Sequence, residues 1–169
     1  MNIFYLDKSP VVAAKVQYNK HVVKMILESA QMLCAAHHVL GAPIMNVGED
    51  IIIPYKLAHK NHPSTVWVRE NAAHYNWLYN HMRALGHEYH LRYGKTHMSI
   101  TKCKHLWFTP KNIPIKPFVQ PPQCMPDEYK DKCSIKAYWN YYIGEKHVVA
   151  NINKEKIYKQ IPEAVTTAH

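Results

Sequence analysis

The longest uninterrupted pattern in the chain runs from Ser9 to Gly41. Ser9 followed by Pro10 is a helix start: a hydroxyl cap, then a residue that needs no N–H in the first turn. Gly41 with Pro43 is a stop. At about 100° per residue, Gln17, Lys20, His21, Lys24, Glu28, Gln31 and His38 fall in one sector. From Val22 onward the other directions are mostly apolar, which predicts a buried central helix. A polar stripe on such a helix must be paired or must line a cleft, because an unpaired buried charge is costly. Lys24 and Glu28, four apart, are within reach of each other. Two readings follow, a structural ion pair on a partly wet face or a polar active-site seam of His21, Lys24, Glu28 and Gln31. The seam is favoured.

Residues 3–6 are apolar and aromatic and predict a short strand or an extended segment against the core. Residues 42–55 predict a loop, with 49–54 as a candidate short strand. Ser64 opens a second long helix with Trp67, Asn71, Tyr75, Leu78, Met82, Leu85 and Tyr89 at helical spacing; Gly86 is its expected kink or break and Gly94 its end. Glu70, His74, His81, Glu88 and Arg92 line a neighbouring face. Six prolines between 109 and 126 predict an irregular connection. Residues 126–130 predict a helical turn, and Ile135 to Lys146 a third helix. The fold class is therefore mainly α: one compact domain, residues 1–150, of about three main helices around the buried one, with a basic tail over 151–169.

Composition changes the picture by its charge. Lys and Arg number 21 against 12 acids, a formal +9, with 13 His besides. That balance favours a polyanionic partner, most commonly nucleic acid. Residues 101–160 hold 11 lysines and no arginine against five acids, which suits phosphate attraction more than reading of base edges. No apolar run is long enough for a transmembrane helix and the first residues lack a signal-peptide pattern, so no membrane association and a cytoplasmic location are expected. Four cysteines without framework spacing are expected reduced. Oligomeric state is open.

Three constellations carry candidate chemistry. The seam offers a carboxylate, Glu28, with an imidazole and an amine for proton transfer; His59, His62 and Arg69 are expected beside it. Histidine–carboxylate pairs (Glu70 with His74, His81 with Glu88, His21 with Glu28) would suit a metal-dependent hydrolase, and Cys103, His105, Cys124 and Cys133 a structural zinc, but no Glu-x-x-His pair is present and the cysteine spacings are unusual. No metal or other cofactor is therefore expected. Tyr138, Trp139, Tyr141 and Tyr142, interleaved with Lys136 and Lys146, could stack on unpaired bases.

Two resemblances add to this. The stretches Lys20–Glu28, Ala58–Pro63, Trp67–Glu70, Met125–Lys130 and Tyr141–Lys146 resemble a family of uncharacterised bacteriophage proteins, which would place the protein in the cytoplasm of a host cell. More distantly, the layout is similar to phage pyrimidine-dimer DNA glycosylases of the endonuclease V type: small, basic, mostly helical, with an N-terminal segment beside a central helix. There a histidine precedes the catalytic glutamate by seven residues, as His21 precedes Glu28, and an aromatic C-terminal segment is like Tyr138–Gly144. The resemblance implies nucleotide flipping, attack on the sugar by an amine and Schiff-base lyase chemistry assisted by Glu28. The family's nucleophile is the α-amine of a threonine exposed by loss of the initiator methionine, and arginines stand beside its glutamate. Here Asn2 follows Met1, a residue large enough to leave the methionine in place, and lysines and histidines replace the arginines. The amine is then that of Met1 or of Lys24, or the scaffold lacks this chemistry. An α-amine deprotonates near pH 8 and a lysine near 10.4 in reference peptides, and a neighbouring carboxylate favours a charged lysine. Met1 is therefore expected in the same cleft as Glu28. Substrate contacts are expected from Gln31, His59, His62, Arg69, Tyr138, Trp139, Tyr142 and Lys146. The expected function is a DNA glycosylase and lyase on a modified or damaged base, against a non-catalytic DNA-binding protein or a histidine-rich metal hydrolase.

Overall fold

The computed structural model describes residues 1–42 and 52–150, side chains at 149 and 150 excepted. The described residues form helices and irregular connections with no strand: α1 Pro10–Lys15, α2 Asn19–Leu40, α3 Pro63–Glu70, α4 Ala72–Tyr93, α5 Met98–Lys102, a 3-10 turn Asp127–Tyr129, α6 Ser134–Tyr141, a π turn Tyr142–Lys146 and α7 His147–Ala150. The mainly α class is as the sequence predicts. The candidate strand at 49–54 and the tail from 151 lie largely or wholly outside the described residues.

The predicted first helix is two helices. Its start is the expected one, with Ser9 Oγ accepting from Val12 N at 3.3 Å. It breaks before Asn19 because Arg92, reaching across from α4, takes the local carbonyls. Its guanidinium donates to Lys15 O at 3.0 Å, Gln17 O at 2.7 Å and Asn19 Oδ1 at 3.0 Å. Glu88 holds the same guanidinium at 3.1 Å. A distant side chain thus replaces intrahelical bonds, which no local propensity can foretell. Tyr18, extended at the break, sends its hydroxyl to Tyr142 O at 3.1 Å.

The second predicted helix is also broken, at Asn71 and not at Gly86. Asn71 is extended, and its Oδ1 caps α4 by accepting from His74 N at 3.0 Å. Gly86 lies inside an unbroken α4 for a packing reason: a Cβ there would sit 2.6 Å from Ile100 Cδ1 and Cγ1, so the absence of a side chain lets α5 approach. The third helix passes at Tyr142 into the π turn. There Tyr129 packs so closely on Gly144 that a Cβ would overlap its ring.

α2 packs against α3, α4 and α5, and α1 against α4. Met25, Ile26, Met32, Leu33, Tyr75, Leu78, Met82 and Leu85 form the centre of the core. α2 is not enclosed on every side as its apolar circumference predicts: Val23 and Leu27 are each more than a third exposed, on either side of exposed Lys24. Residues 3–6 are fully buried but irregular, held by Trp139 Nε1, which donates to Leu6 O at 2.8 Å. The proline-rich connection is irregular, as predicted. Its backbone polar groups are satisfied by helix side chains: Trp67 Nε1 to Val119 O, Ser134 Oγ to Pro121 O, Tyr138 O–H to Pro122 O, and His74 Nε2 accepting from Val119 N.

Candidate functional site

Glu28 sits on the middle of α2 with its side chain 14% exposed. Three groups converge on its carboxylate. The α-amine of Met1 lies 3.8 Å from Oε2, Asn2 N donates to the same oxygen at 3.2 Å, and Lys24 Nζ lies 3.4 Å from Oε1. The amine reaches this position because the N-terminal segment is anchored along its length. The Met1 side chain is 2% exposed, Asn2 Nδ2 donates to Cys124 O at 3.0 Å, and Asn2 Oδ1 accepts from Ile3 N at 2.8 Å. Phe4 then stacks on His21 with ring centroids 4.4 Å apart. The segment therefore runs antiparallel to α2, residue 2 at Glu28 and residue 4 two turns earlier at His21.

Histidines complete the cluster. His62 caps α3, Nδ1 accepting from Ser64 N at 3.1 Å, which leaves Nε2 as its protonated nitrogen in the neutral ring. Burial chiefly lowers its pKa, the Met1 amine and His59 lower it further, and Glu28 opposes them. His62 thus lies within electrostatic reach of both members of the Met1–Glu28 pair. Arg69 supports this side: its guanidinium donates to Lys60 O at 2.7 Å and fixes the turn that carries His59 and His62. Among the described residues, Phe4 (φ 53°) and His59 (φ 49°) are the non-glycine residues with positive φ, and both belong to segments flanking Glu28. Left-handed backbone in bulky residues is costly and persists where surroundings enforce it, a condition often met at functional sites.

His21 is nearly buried, with Nδ1 2.6 Å from Tyr142 Oη. Its pKa is lowered to about 4, by burial first and then by Lys146 and Lys24, so the ring is neutral at physiological pH. It orients the N-terminal segment through Phe4, two helical turns from Glu28. Gln31 is half-buried one turn beyond Glu28.

The aromatic residues proposed to stack on bases do not form a surface. Tyr138, Trp139 and Tyr142 are at most 1% exposed. Their polar atoms are committed to Pro122 O, Leu6 O and His21 respectively. In an amphipathic segment the aromatic stripe is the core face, and the periodicity that suggested a binding face describes burial. Lys146 lies over the Tyr141 ring at 4.6 Å and is close enough to His21 to lower its pKa. Nor do the histidine–carboxylate stripes come together as ligand sets: among the described residues no three His, Cys, Asp or Glu side chains are grouped to hold a metal. His74 Nδ1 donates to Trp67 O and His81 Nδ1 to Pro10 O, which commits these rings to structure.

Asn2 and Phe4 are the site residues that sequence reading did not name. Their roles depend on contacts with residues up to 122 positions away, so only the apolar run at 3–6 hinted at them. Compared with known proteins, the chain matches no family model, no curated protein and no solved structure. No described helix is long and apolar enough to cross a membrane.

Proposed function

We propose that this chain acts on DNA as a glycosylase and lyase for a modified or damaged base, with the α-amine of Met1 as nucleophile and Glu28 as its acid–base partner. The observation that carries this reading is the amine 3.8 Å from Glu28 Oε2, held there by a buried N-terminal segment. At this distance the two groups form a loose ion pair; proton transfer to the carboxylate runs through one bridging water or a closer approach in the DNA complex, giving the free amine needed for attack. The nitrogen bonds to the sugar C1′ as the glycosidic bond breaks and its electron pair leaves with the base, which is protonated. Opening of the sugar ring gives an imine. Loss of a C2′ proton to Glu28 or His62 then expels the 3′ phosphate, and water hydrolyses the imine to restore the amine. Lys24, two-thirds exposed and paired with Glu28, serves better as an electrostatic contact to the phosphate backbone than as nucleophile.

Borohydride trapping on duplexes carrying abasic sites and a panel of damaged bases tests the reading. A cross-link mapping by peptide mass spectrometry to the residue 1 amine, lost in Glu28→Gln with DNA binding retained, is the expected result. A cross-link that survives N-terminal blocking and vanishes in Lys24→Ala would move the nucleophile. No cross-link on any substrate, with DNA binding intact, would favour a non-catalytic DNA-binding protein.

A further inference from the structure

A concavity lies against the N-terminal segment at Tyr5 and Lys8, and Glu28 is not among its lining residues. Its volume is about 330 Å³, within the range of small-ligand sites. Tyr5, Trp77 and Phe118 supply aromatic walls, with Tyr5 at 5.1 Å from Trp77 and 6.1 Å from Phe118 between ring centroids. Ile135 adds an aliphatic contact.

The polar groups of this concavity are mainly donors. Tyr5 is 3% exposed, yet its hydroxyl makes no hydrogen bond among the described residues and is not sealed in the core. Burial, together with Asp7 and Cys133, raises its pKa to about 12, so it remains an O–H. Gln120 uses Oε1 to accept from Ser134 N at 2.6 Å, which fixes the amide and leaves its NH₂ free among the described residues. Lys8 brings an ammonium that has no carboxylate partner among the described residues. Three unpaired donors beside aromatic walls that meet edge-on (Tyr5 with Trp77) and tilted (Tyr5 with Phe118) call for a flat ligand rich in acceptors and negatively charged.

We propose that this concavity binds a small planar heteroaromatic anion of nucleoside monophosphate size, the ring lying among Tyr5, Trp77 and Phe118 and the anionic group on Lys8. Tyr5 O–H and the Gln120 amide donate to heteroatoms of the ring edge. A bare organic cation, the other ligand of aromatic cages, is disfavoured by Lys8 and by the chain's formal charge of +9.

Titration of the full chain with adenosine, cytidine and their 5′-monophosphates, followed by tryptophan fluorescence and by ¹H–¹⁵N spectra, tests the proposal. The monophosphates are expected to shift the Trp77 indole and Gln120 amide resonances, and to bind about tenfold more tightly than the nucleosides, as a charge-assisted contact predicts. Lys8→Ala should abolish that difference, and Tyr5→Phe and Gln120→Ala should each weaken binding several-fold while leaving the rest of the spectrum unchanged. Glu28→Gln should bind the monophosphates as the parent does, so failure of the lyase reading leaves this one standing. Absence of resonance shifts at millimolar monophosphate would overturn the proposal. So would shifts that Lys8→Ala and Gln120→Ala leave unaltered, or equal affinity for nucleoside and monophosphate.

Discussion

Lowering the pH from 7.5 to 5 should remove much of the folding stability, through three buried histidines held neutral. His21, His37 and His81 each have a pKa lowered from 6.5 to about 4, burial being the first cause in every case. Geometry agrees for two of them. His81 Nδ1–H donates to Pro10 O at 2.9 Å while Nε2 accepts from Gln17 Nε2–H at 2.9 Å, so a second proton would set two donors against each other. His37 Nε2–H donates to Tyr75 Oη, whose own proton goes to Leu106 O, and Nδ1 is enclosed without a hydrogen bond, the nearby Phe108 backbone offsetting only part of the effect of burial. Because the folded pKa lies below the unfolded one, the unfolded chain binds more protons between pH 4 and 6.5. Stability is therefore complete above 6.5 and falls as the pH drops through that window. At pH 5 each ring costs about 2 kcal/mol by this linkage, roughly 6 kcal/mol for three, against a typical total of about 5–15 kcal/mol. Urea unfolding followed by circular dichroism at half-unit intervals from pH 7.5 to 4.5 measures the slope, and imidazole proton resonances report each ring. A flat unfolding free energy between pH 7 and 5, or ordinary titration near 6.5 for these three rings, would refute the reasoning.

Gly86→Ala should destabilise by about 1 kcal/mol net in thermal unfolding. Overpacking against Ile100 costs about 1–3 kcal/mol and the better helix former returns about 1; Ile100→Ala in the same chain should cancel the clash in a double-mutant cycle. Asn71→Ala removes the cap of α4 and a hydrogen bond to Pro117 O, and should cost about 1–2 kcal/mol by chemical denaturation. DNA affinity should fall steeply with salt in filter-binding or anisotropy titrations, linearly in log–log form; binding that is absent even at low ionic strength would remove the nucleic-acid reading. Trp139→Phe keeps the ring packing but loses the bond to Leu6 O. It should loosen the N-terminal segment and lower trapping yield, with DNA binding unchanged.

What was legible in the chain divides along one physical line. Ser9, Pro10, Gly41 and Gly94 act on residues within a turn of themselves, and the helix ends they predict are where the structure places them. Arg92 acts on partners brought up by the fold, so the break it creates looks like continuous helix in sequence. Asn71 caps His74 N locally, but its break is also held by the proline-rich connection, where Pro117 O accepts from the Asn71 amide and Pro114 O from Ala72 N. Gly86 shows the converse: a residue that weakens helices locally is retained because Ile100 occupies the space its side chain would need. The candidate site follows the same division. Lys24 and Glu28 were visible as an i, i+4 pair, because helix geometry alone joins them. The arrival of Met1 beside them depends on Asn2 reaching Cys124 O, on Phe4 accepting a left-handed backbone to stack on His21, and on Trp139 holding Leu6 O. None of those contacts has a sequence period, yet each fixes the amine on the carboxylate. Tyr138, Trp139 and Tyr142 are thus part of the buried packing and not of an exposed face. Through Trp139 and Tyr142 they hold the N-terminal segment and His21 in place, so loss of a buried aromatic 110 or more residues away should disturb the Met1–Glu28 distance before it disturbs the helices.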